Sequence, residues 1–363
     1  MSQIKVLVVD DSVFTRKRLV DMLASDSEIA VIDTAQNGLE AIEKVKSLRP
    51  DVVTLDIEMA GMDGLTALGH IMSECPTPVV MVSTLTEEGS EATAQALLEG
   101  AVDFIHKPTD AVGVKLYQVK DELIAKVKAA SKARLKKLSS IAPSGFNGKA
   151  SFGSSVASQK LVMIGTSTGG PRALMEVLPR LPKNFPSPIV VVQHMPQGPF
   201  IKSIAKRIDN ESNIRVEEAQ NNDRLEPGVA LIAPGGCHIL IEKGGIVKFN
   251  HGPAVNSVKP SVDVMMGSGA AIYGPNSVGV ILTGMGADGA KGMELIKLKG
   301  GRTIAEHEST CVVYGMPKAV IESGHADEVV PLDQIPQEIV KAVGEKNNDY
   351  KLHGQPRVQI LCK

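Results

Sequence analysis

Short apolar runs return along the first third of the chain with helical stretches between them. Val6–Val9, Val31–Ile32, Val52–Leu55, Val79–Val82 and Phe104–Ile105 are the strand candidates. Between them lie stretches such as Phe14–Leu23 and Leu39–Leu48, whose apolar residues fall at helical spacing (Leu19, Met22 and Leu23; Ile42 and Val45). An apolar run without polar alternation suits a strand buried on both faces, and a helix after each strand suits a crossover connection. Five such units by residue 128 predict a parallel sheet in a doubly wound, flavodoxin-like domain.

The rhythm stops after Lys128. Residues 131–160 hold no Asp or Glu, six Lys or Arg, and many Ser, Gly and Ala. That composition predicts a flexible linker. From Leu161 the rhythm returns. The strand candidates are Leu161–Ile164, Ile189–Val192, Val229–Ala233, Ile239–Ile241, Val278–Leu282 and Thr303–Ala305, with helices over 171–181, 198–208, 261–273, 288–299 and 316–323. A second, mostly parallel, doubly wound α/β domain follows, with one local β-hairpin over about 229–249. The expected division is a first domain at 1–128, a linker at 129–158, a second domain at 159–347 and a disordered tail at 348–363.

In a doubly wound sheet the residues at the carboxyl ends of the strands form the site. In the first domain these are Asp10-Asp11, Asp56, Ser83-Thr84 and Lys107-Pro108. Clustered carboxylates repel one another unless a cation neutralises them, and hard oxygen ligands suit Mg²⁺. Mg²⁺ beside a carboxylate and a lysine is equipment for phosphoryl transfer, with Asp56 as acceptor and Lys107 and Ser83 on the product's anionic oxygens. The segments VVDDS at 8–12, TLDIEMAGMDG at 54–64, VST at 82–84 and the Lys107-Pro108 pair resemble a response-regulator receiver domain. The resemblance implies that Asp56 is the phospho-acceptor, that Asp10 and Asp11 hold the metal with it, and that Phe104 is an aromatic responding to the state of Ser83. Ala60 departs from the family's usual proline without removing a chemical group.

The second domain opens on LVMIGTSTGGPRALMEVLPRL, residues 161–181. A strand, a glycine-rich turn and a helix with proline in its first turn leave free N–H groups at a sheet edge. Gly165-x-Ser167-x-Gly169 has the spacing of a nucleophile elbow. A serine nucleophile needs a base, and the base an orienting acid. Strand Ile189–Val192 runs into Gln193-His194, and strand Val278–Leu282 into a loop that holds Asp288. Ser167, His194 and Asp288 therefore follow three different strands. Position alone leaves His238, His251, His307 and His325 in competition with His194, and Asp223 and Asp263 with Asp288. A phosphate cradle at 165–170 is a second reading, against which no Walker A lysine follows. The order Ser…His…Asp also differs from that of α/β-hydrolases.

IGTSTGGP (164–171), QHMP (193–196), APG (233–235), PSVDV (260–264), GVILTGMGADG (279–289) and YGMP (314–317) resemble the catalytic domain of the chemotaxis protein-glutamate methylesterase family, CheB. With the receiver in front, the resemblance covers nearly the whole chain. It implies a Ser167 nucleophile, a His194 base, an Asp288 orienter, and an oxyanion site at the Met285 N–H together with the N–H groups opening the helix after Ser167, Thr168 first. It implies hydrolysis of glutamate γ-methyl esters on chemoreceptors, deamidation of receptor glutamines, and control by a chemotaxis histidine kinase through Asp56. The unphosphorylated receiver would cover the catalytic domain in an intramolecular contact. Thr166 stands where alanine is commoner in the family. Mg²⁺ is expected in the receiver and no cofactor in the catalytic domain.

Bulk composition adds exclusions. A chain of 363 residues with 43% hydrophobic and 22% charged residues suits two globular domains. A formal net charge of −2 gives no bulk attraction to nucleic acid, and a DNA-binding output domain would need a basic helix-turn-helix. A receiver fused to a nucleotide-binding or adaptor domain is the other alternative class. No apolar run is long enough to span a bilayer, so membrane insertion is not expected. Four cysteines spaced far apart suit a reducing cytoplasm, and a monomer is the expected state.

Overall fold

The computed structural model describes residues 3–83, 87–107, 119–135 and 160–345. They fall into two units. In the first, β1 (Ile4–Val9), β2 (Ile29–Ala35), β3 (Val52–Asp56), β4 (Val79–Ser83) and β5 (Asp103–His106) alternate with α1 (Val13–Ala24), α2 (Gly38–Leu48), α3 (Gly64–Glu74), α4 (Glu87–Glu99) and α5 (Lys120–Ala130). The strands pair in parallel in the order β2-β1-β3-β4-β5. This is the flavodoxin-like order, with the first strand inside the sheet. The apolar runs sit in strands buried on both faces: Val6 to Val9 and Val52, Val53 and Leu55 have no exposed surface. Short polar side chains start the helices. Ser12 accepts from Thr15 N, Asn37 from Glu40 N and Asp63 from Thr66 N, each satisfying a donor that the first turn cannot pair.

In the second unit β6 (Leu161–Thr166), β7 (Ile189–Gln193), β8 (Arg215–Glu218), β9 (Val229–Ile232), β12 (Ser277–Ile281), β13 (Arg302–Glu306) and β14 (Glu328–Val330) form one sheet. A separate ribbon pairs β10 (His238–Glu242) with β11 (Ile246–Asn250). The seven-stranded sheet is parallel throughout, in the order β14-β13-β12-β6-β7-β9-β8. Its helices are α6 (Gly170–Val177), α7 (Phe200–Glu211), α8 (Val262–Tyr273), α9 (Ala290–Leu298), α10 (Met316–Glu322) and α11 (Ile335–Gly344). The core under α8 joins Met163 and Val190 of the sheet to Ile239 and Ile241 of the ribbon.

Several expectations need correcting. The hairpin begins at His238, not near 229, because Val229–Ile232 pairs in parallel with β7 and β8. β8 and β14 escaped the apolar-run test, since three of the four residues of RVEE are charged and EVV is only half-buried. β6 runs on to Thr166, so the turn starts at Ser167 rather than at Gly165. α5 ends at Ala130, which makes the first two residues of the expected linker helical. The rest of the linker from residue 136 to 158 and the expected tail lie outside the described residues, as do Thr84, Pro108 and the side chain of Ser83.

Candidate functional site

In both units the first strand is internal, and the chain leaves it in opposite directions along the sheet. That leaves a crevice at the carboxyl ends of neighbouring strands. The second unit builds its crevice from β6, β7 and β12. Thr166 pairs with Gln193 and Gly165 with Ile281. Ser167 and His194 therefore leave adjacent strands at one level, and the loop after β12 brings Asp288 to the same edge.

The turn at Ser167 is held from several sides. Ser167 N donates to Thr283 O at 3.0 Å, and Gly170 N to Ser167 O at 2.8 Å. The buried Gln193 amide donates to Ser167 O and to His194 O, 3.0 Å each, tying nucleophile and base through their backbones. Gly169, at φ 77°, takes the left-handed conformation that lets α6 start directly behind the serine. A Cβ on Gly284 would lie 2.8 Å from the Ser167 Cβ, so only glycine lets this loop pass so near the nucleophile. The unusual Thr166 is fully buried and donates from Oγ1 to Thr283 O at 2.9 Å. Thr283 is the hub. Its Oγ1 donates to Thr168 O at 3.0 Å, and its N–H donates to the buried Glu306 carboxylate at 2.8 Å.

His194 Nε2 lies 2.9 Å from Asp288 Oδ2, with the His194 side chain 10% and the Asp288 side chain 3% exposed. Asp288 also accepts from Val262 N at 2.6 Å, Ser261 Oγ at 2.8 Å and Asn256 Nδ2 at 2.9 Å. Burial pushes the Asp288 carboxyl up, but the hydrogen bond from His194, the imidazole charge and the Asn256 and Val262 donors outweigh it and hold it at about 2. This carboxylate stays ionised at every physiological pH. Met285, 42% exposed, stands at the open side of the loop after β12.

The competing residues sit elsewhere. His238 is buried under the site, with Nε2 donating to Pro253 O and Nδ1 accepting from Ser261 N, which steadies a partner of Asp288. His307 follows β13, two strands from β6, and bonds to Ser309. His325 belongs to the turn after α10, and His251 is exposed. Asp223 closes a turn onto Gln220 N. Asp263 does belong to the site, accepting from Gly289 N and Gly292 N at the start of α9. Asn256, Ser261, Gln193 and Thr283 are the members that residue type and spacing alone did not single out. PSVDV and QHMP hold Ser261 and Gln193, but no local signal marked Asn256.

The first unit gathers its groups at the ends of β1, β3 and β5. Lys107 Nζ lies 2.7 Å from both Asp10 Oδ2 and Asp56 Oδ2, with both aspartates buried. Carboxylate oxygens of Asp10, Asp11 and Asp56 lie within 4.8 Å of one another, a set of hard donors that fits Mg²⁺. Burial pushes Asp56 up to about 6 against the pull of Lys107. Asp11, Asp56, Glu58, Met59 and Lys107 line an open cleft of about 660 Å³. Phe104 is buried on β5, with the Lys126 ammonium 5.0 Å from its ring centre and donating to its carbonyl at 2.7 Å.

Each unit is similar to a known family. Residues 162–339 match the family model described as CheB methylesterase, and residues 6–116 the one described as response regulator receiver domain. A protein-glutamate methylesterase/protein-glutamine glutaminase of Symbiobacterium thermophilum is 48% identical over 355 residues, covering 94% of this chain and 98% of the relative. A protein of the same name from Archaeoglobus fulgidus is 49% identical over 350 residues, covering 95% of this chain and 99% of the relative. Among solved structures, the Thermotoga maritima CheB methylesterase catalytic domain is 49% identical with a TM-score of 0.49, covering 50% of this chain and 97% of that one.

Proposed function

The chain belongs to the CheB methylesterase family, a receiver domain followed by a methylesterase domain, and from that membership we propose a residue-level mechanism for its esterase and glutaminase activity. Its substrates are glutamate γ-methyl esters and glutamine side chains of chemoreceptors. The observation that carries the reading is the 2.9 Å bond between His194 Nε2 and Asp288 Oδ2, set beside Ser167 on the neighbouring strand. An ionised Asp288 accepts the Nε2 proton, which leaves the Nδ1 lone pair to take the proton of Ser167 Oγ.

Ser167 Oγ attacks the side-chain carbonyl as Nδ1 takes its proton. The imidazolium returns that proton to the departing methoxide, released as methanol, or to the amide nitrogen of a glutamine, which then leaves as ammonia. Water then attacks the acyl-enzyme with His194 again as base, releasing glutamate. The Met285 and Thr168 N–H groups are assigned to the oxyanion. Losing one such donor typically costs roughly 3–4 kcal/mol of transition-state stabilisation.

The receiver controls this chemistry. Asp56 accepts the phosphoryl group from a histidine kinase of the chemotaxis system. Asp10, Asp11 and Asp56 would hold Mg²⁺, which when bound neutralises the phosphoryl oxygens. Lys107 pairs with one of those oxygens, and Ser83 and Phe104 carry the change of state. Phosphorylation releases the catalytic domain from inhibition by the receiver, with the chain after α5 as the connecting tether. Among the described residues no helix is long and apolar enough to cross a membrane, and the protein is assigned to the cytoplasmic side of its receptors. Methanol release from methylated receptor membranes, with and without a phosphodonor, tests both halves. Release that survives Ser167→Ala would refute the nucleophile, and release indifferent to phosphodonor would refute the control.

A further inference from the structure

The loop between β11 and α8 carries one conformation that side-chain chemistry disfavours. Val255 N donates to Val258 O at 3.1 Å and Val258 N to Val255 O at 3.0 Å, closing a two-residue turn. Both central residues are left-handed, Asn256 at φ 52° and Ser257 at φ 64°. Such a turn ordinarily takes Asn-Gly, because a Cβ crowds the following carbonyl. Non-glycine residues held in this region tend to gather at functional sites, where surrounding contacts hold the conformation.

The turn delivers a single side chain. Asn256 Nδ2 donates at 2.9 Å to Asp288 Oδ1 and at 2.9 Å to Asp263 Oδ2. These two carboxylates face each other across the start of α9. Asp263 grips that start through Gly289 N at 2.9 Å and Gly292 N at 2.8 Å. Burial, with the neighbouring charge of Asp288, pushes Asp263 up, while Asp288 is held down. An amide with two N–H groups is the neutral donor that can satisfy both carboxylates at once.

We propose that Asn256 is a positioning residue of the esterase: its turn holds the amide between Asp288 and Asp263, and this bridge sets the carboxylate plane from which Asp288 Oδ2 receives the His194 N–H. The inference rests on the reading of Asp288 as the orienter of His194. Asn256 is itself exposed, so truncating it opens no cavity.

The test uses the full-length protein and measures methanol release from methylated receptor membranes across a range of substrate concentrations. Asn256→Gly removes the amide yet keeps a residue that accepts the left-handed backbone. It should lower kcat about tenfold, the loss expected for one hydrogen bond to a charged group, with KM within about twofold and the melting temperature unchanged or raised. Asn256→Asp keeps the shape, loses the donors and adds a third negative charge, and should lower kcat further. Wild-type kcat in Asn256→Gly would show that only the turn matters and would overturn the inference. A raised KM at unchanged kcat would also overturn it, marking a substrate contact instead. Asp288→Asn is run beside them. If that variant alone is impaired, the bridge is wrong and the triad stands. If Asp288→Asn turns over normally, the triad reading has failed and the bridge falls with it.

Discussion

The two crevices of this chain share a topology and differ in electrostatics. In each, an internal first strand places its terminal residues beside those of neighbouring parallel strands. Each also buries an aspartate there, Asp56 in one and Asp288 in the other. Asp56 has a lysine shared with Asp10 and is pushed by burial up to about 6. Asp288 is met by four close donors, from His194, Asn256, Ser261 and Val262, and is held at about 2. Burial raises both; the donors and the His194 charge outweigh it at Asp288, whereas at Asp56 the Asp10 charge adds to burial against the pull of Lys107. Asp56, the proposed phospho-acceptor, meets fewer donors and borders an open cleft. Asp288, the proposed orienter, is surrounded by its four donors.

The largest expected effect on that contrast is at the nucleophile. Ser167→Ala should reduce methyl-ester turnover by about 10⁴-fold or more, read as methanol release, since the serine and histidine act as one unit. Asp288→Asn should cost about 10³- to 10⁴-fold in kcat by presenting the wrong tautomer to the serine. Asp56→Asn should act on control instead, abolishing stimulation by a small acyl phosphate. Stimulation that survives in that variant would place the phospho-acceptor elsewhere.

The depressed Asp288 carboxyl also predicts a pH dependence. A carboxyl held below its unfolded value contributes stability that is complete above about pH 4 and is lost as pH falls toward about 2. Urea titrations between those limits should show the second unit losing about 2 kcal/mol from this group, and Asp288→Asn should flatten the loss. The smallest effect concerns the metal. Mg²⁺ at ten times its dissociation constant should stabilise the receiver by about 1.4 kcal/mol in thermal unfolding, and Asp11→Ala should remove the shift. An identical shift in that variant would exclude Asp11 as a ligand.

The residues most legible in the sequence are those that follow directly on a strand. Asp10, Asp56, Lys107, Ser167 and His194 each close or follow an apolar run, so the same pattern that predicts the strand also predicts the edge on which its terminal residue stands. Asp288 was less legible: it follows the strand Val278–Leu282 but lies within the loop beyond it, so position left Asp223 and Asp263 in competition and the surrounding motif was needed. β8 and β14 were lost for the opposite reason. They sit at the two ends of the sheet order, where a strand needs little apolar surface.

By itself, then, the amino-acid order determined two sets of βα units, the parallel sheets that follow from them and the chemical groups offered at their edges. Hydrophobic periodicity is local, and it carries that much. Which groups meet was decided by strand order. β6 lies between β7 and β12, and this admits His194 and Asp288 and leaves His307, which follows β13, two strands away. Tertiary structure alone also brought Asn256 to Asp288 from 32 positions away, on a left-handed turn that no glycine announces. A hydrogen bond across that separation exists only after the sheet, α8 and α9 have packed. The charge state of Asp288 follows from the donors this packing assembles.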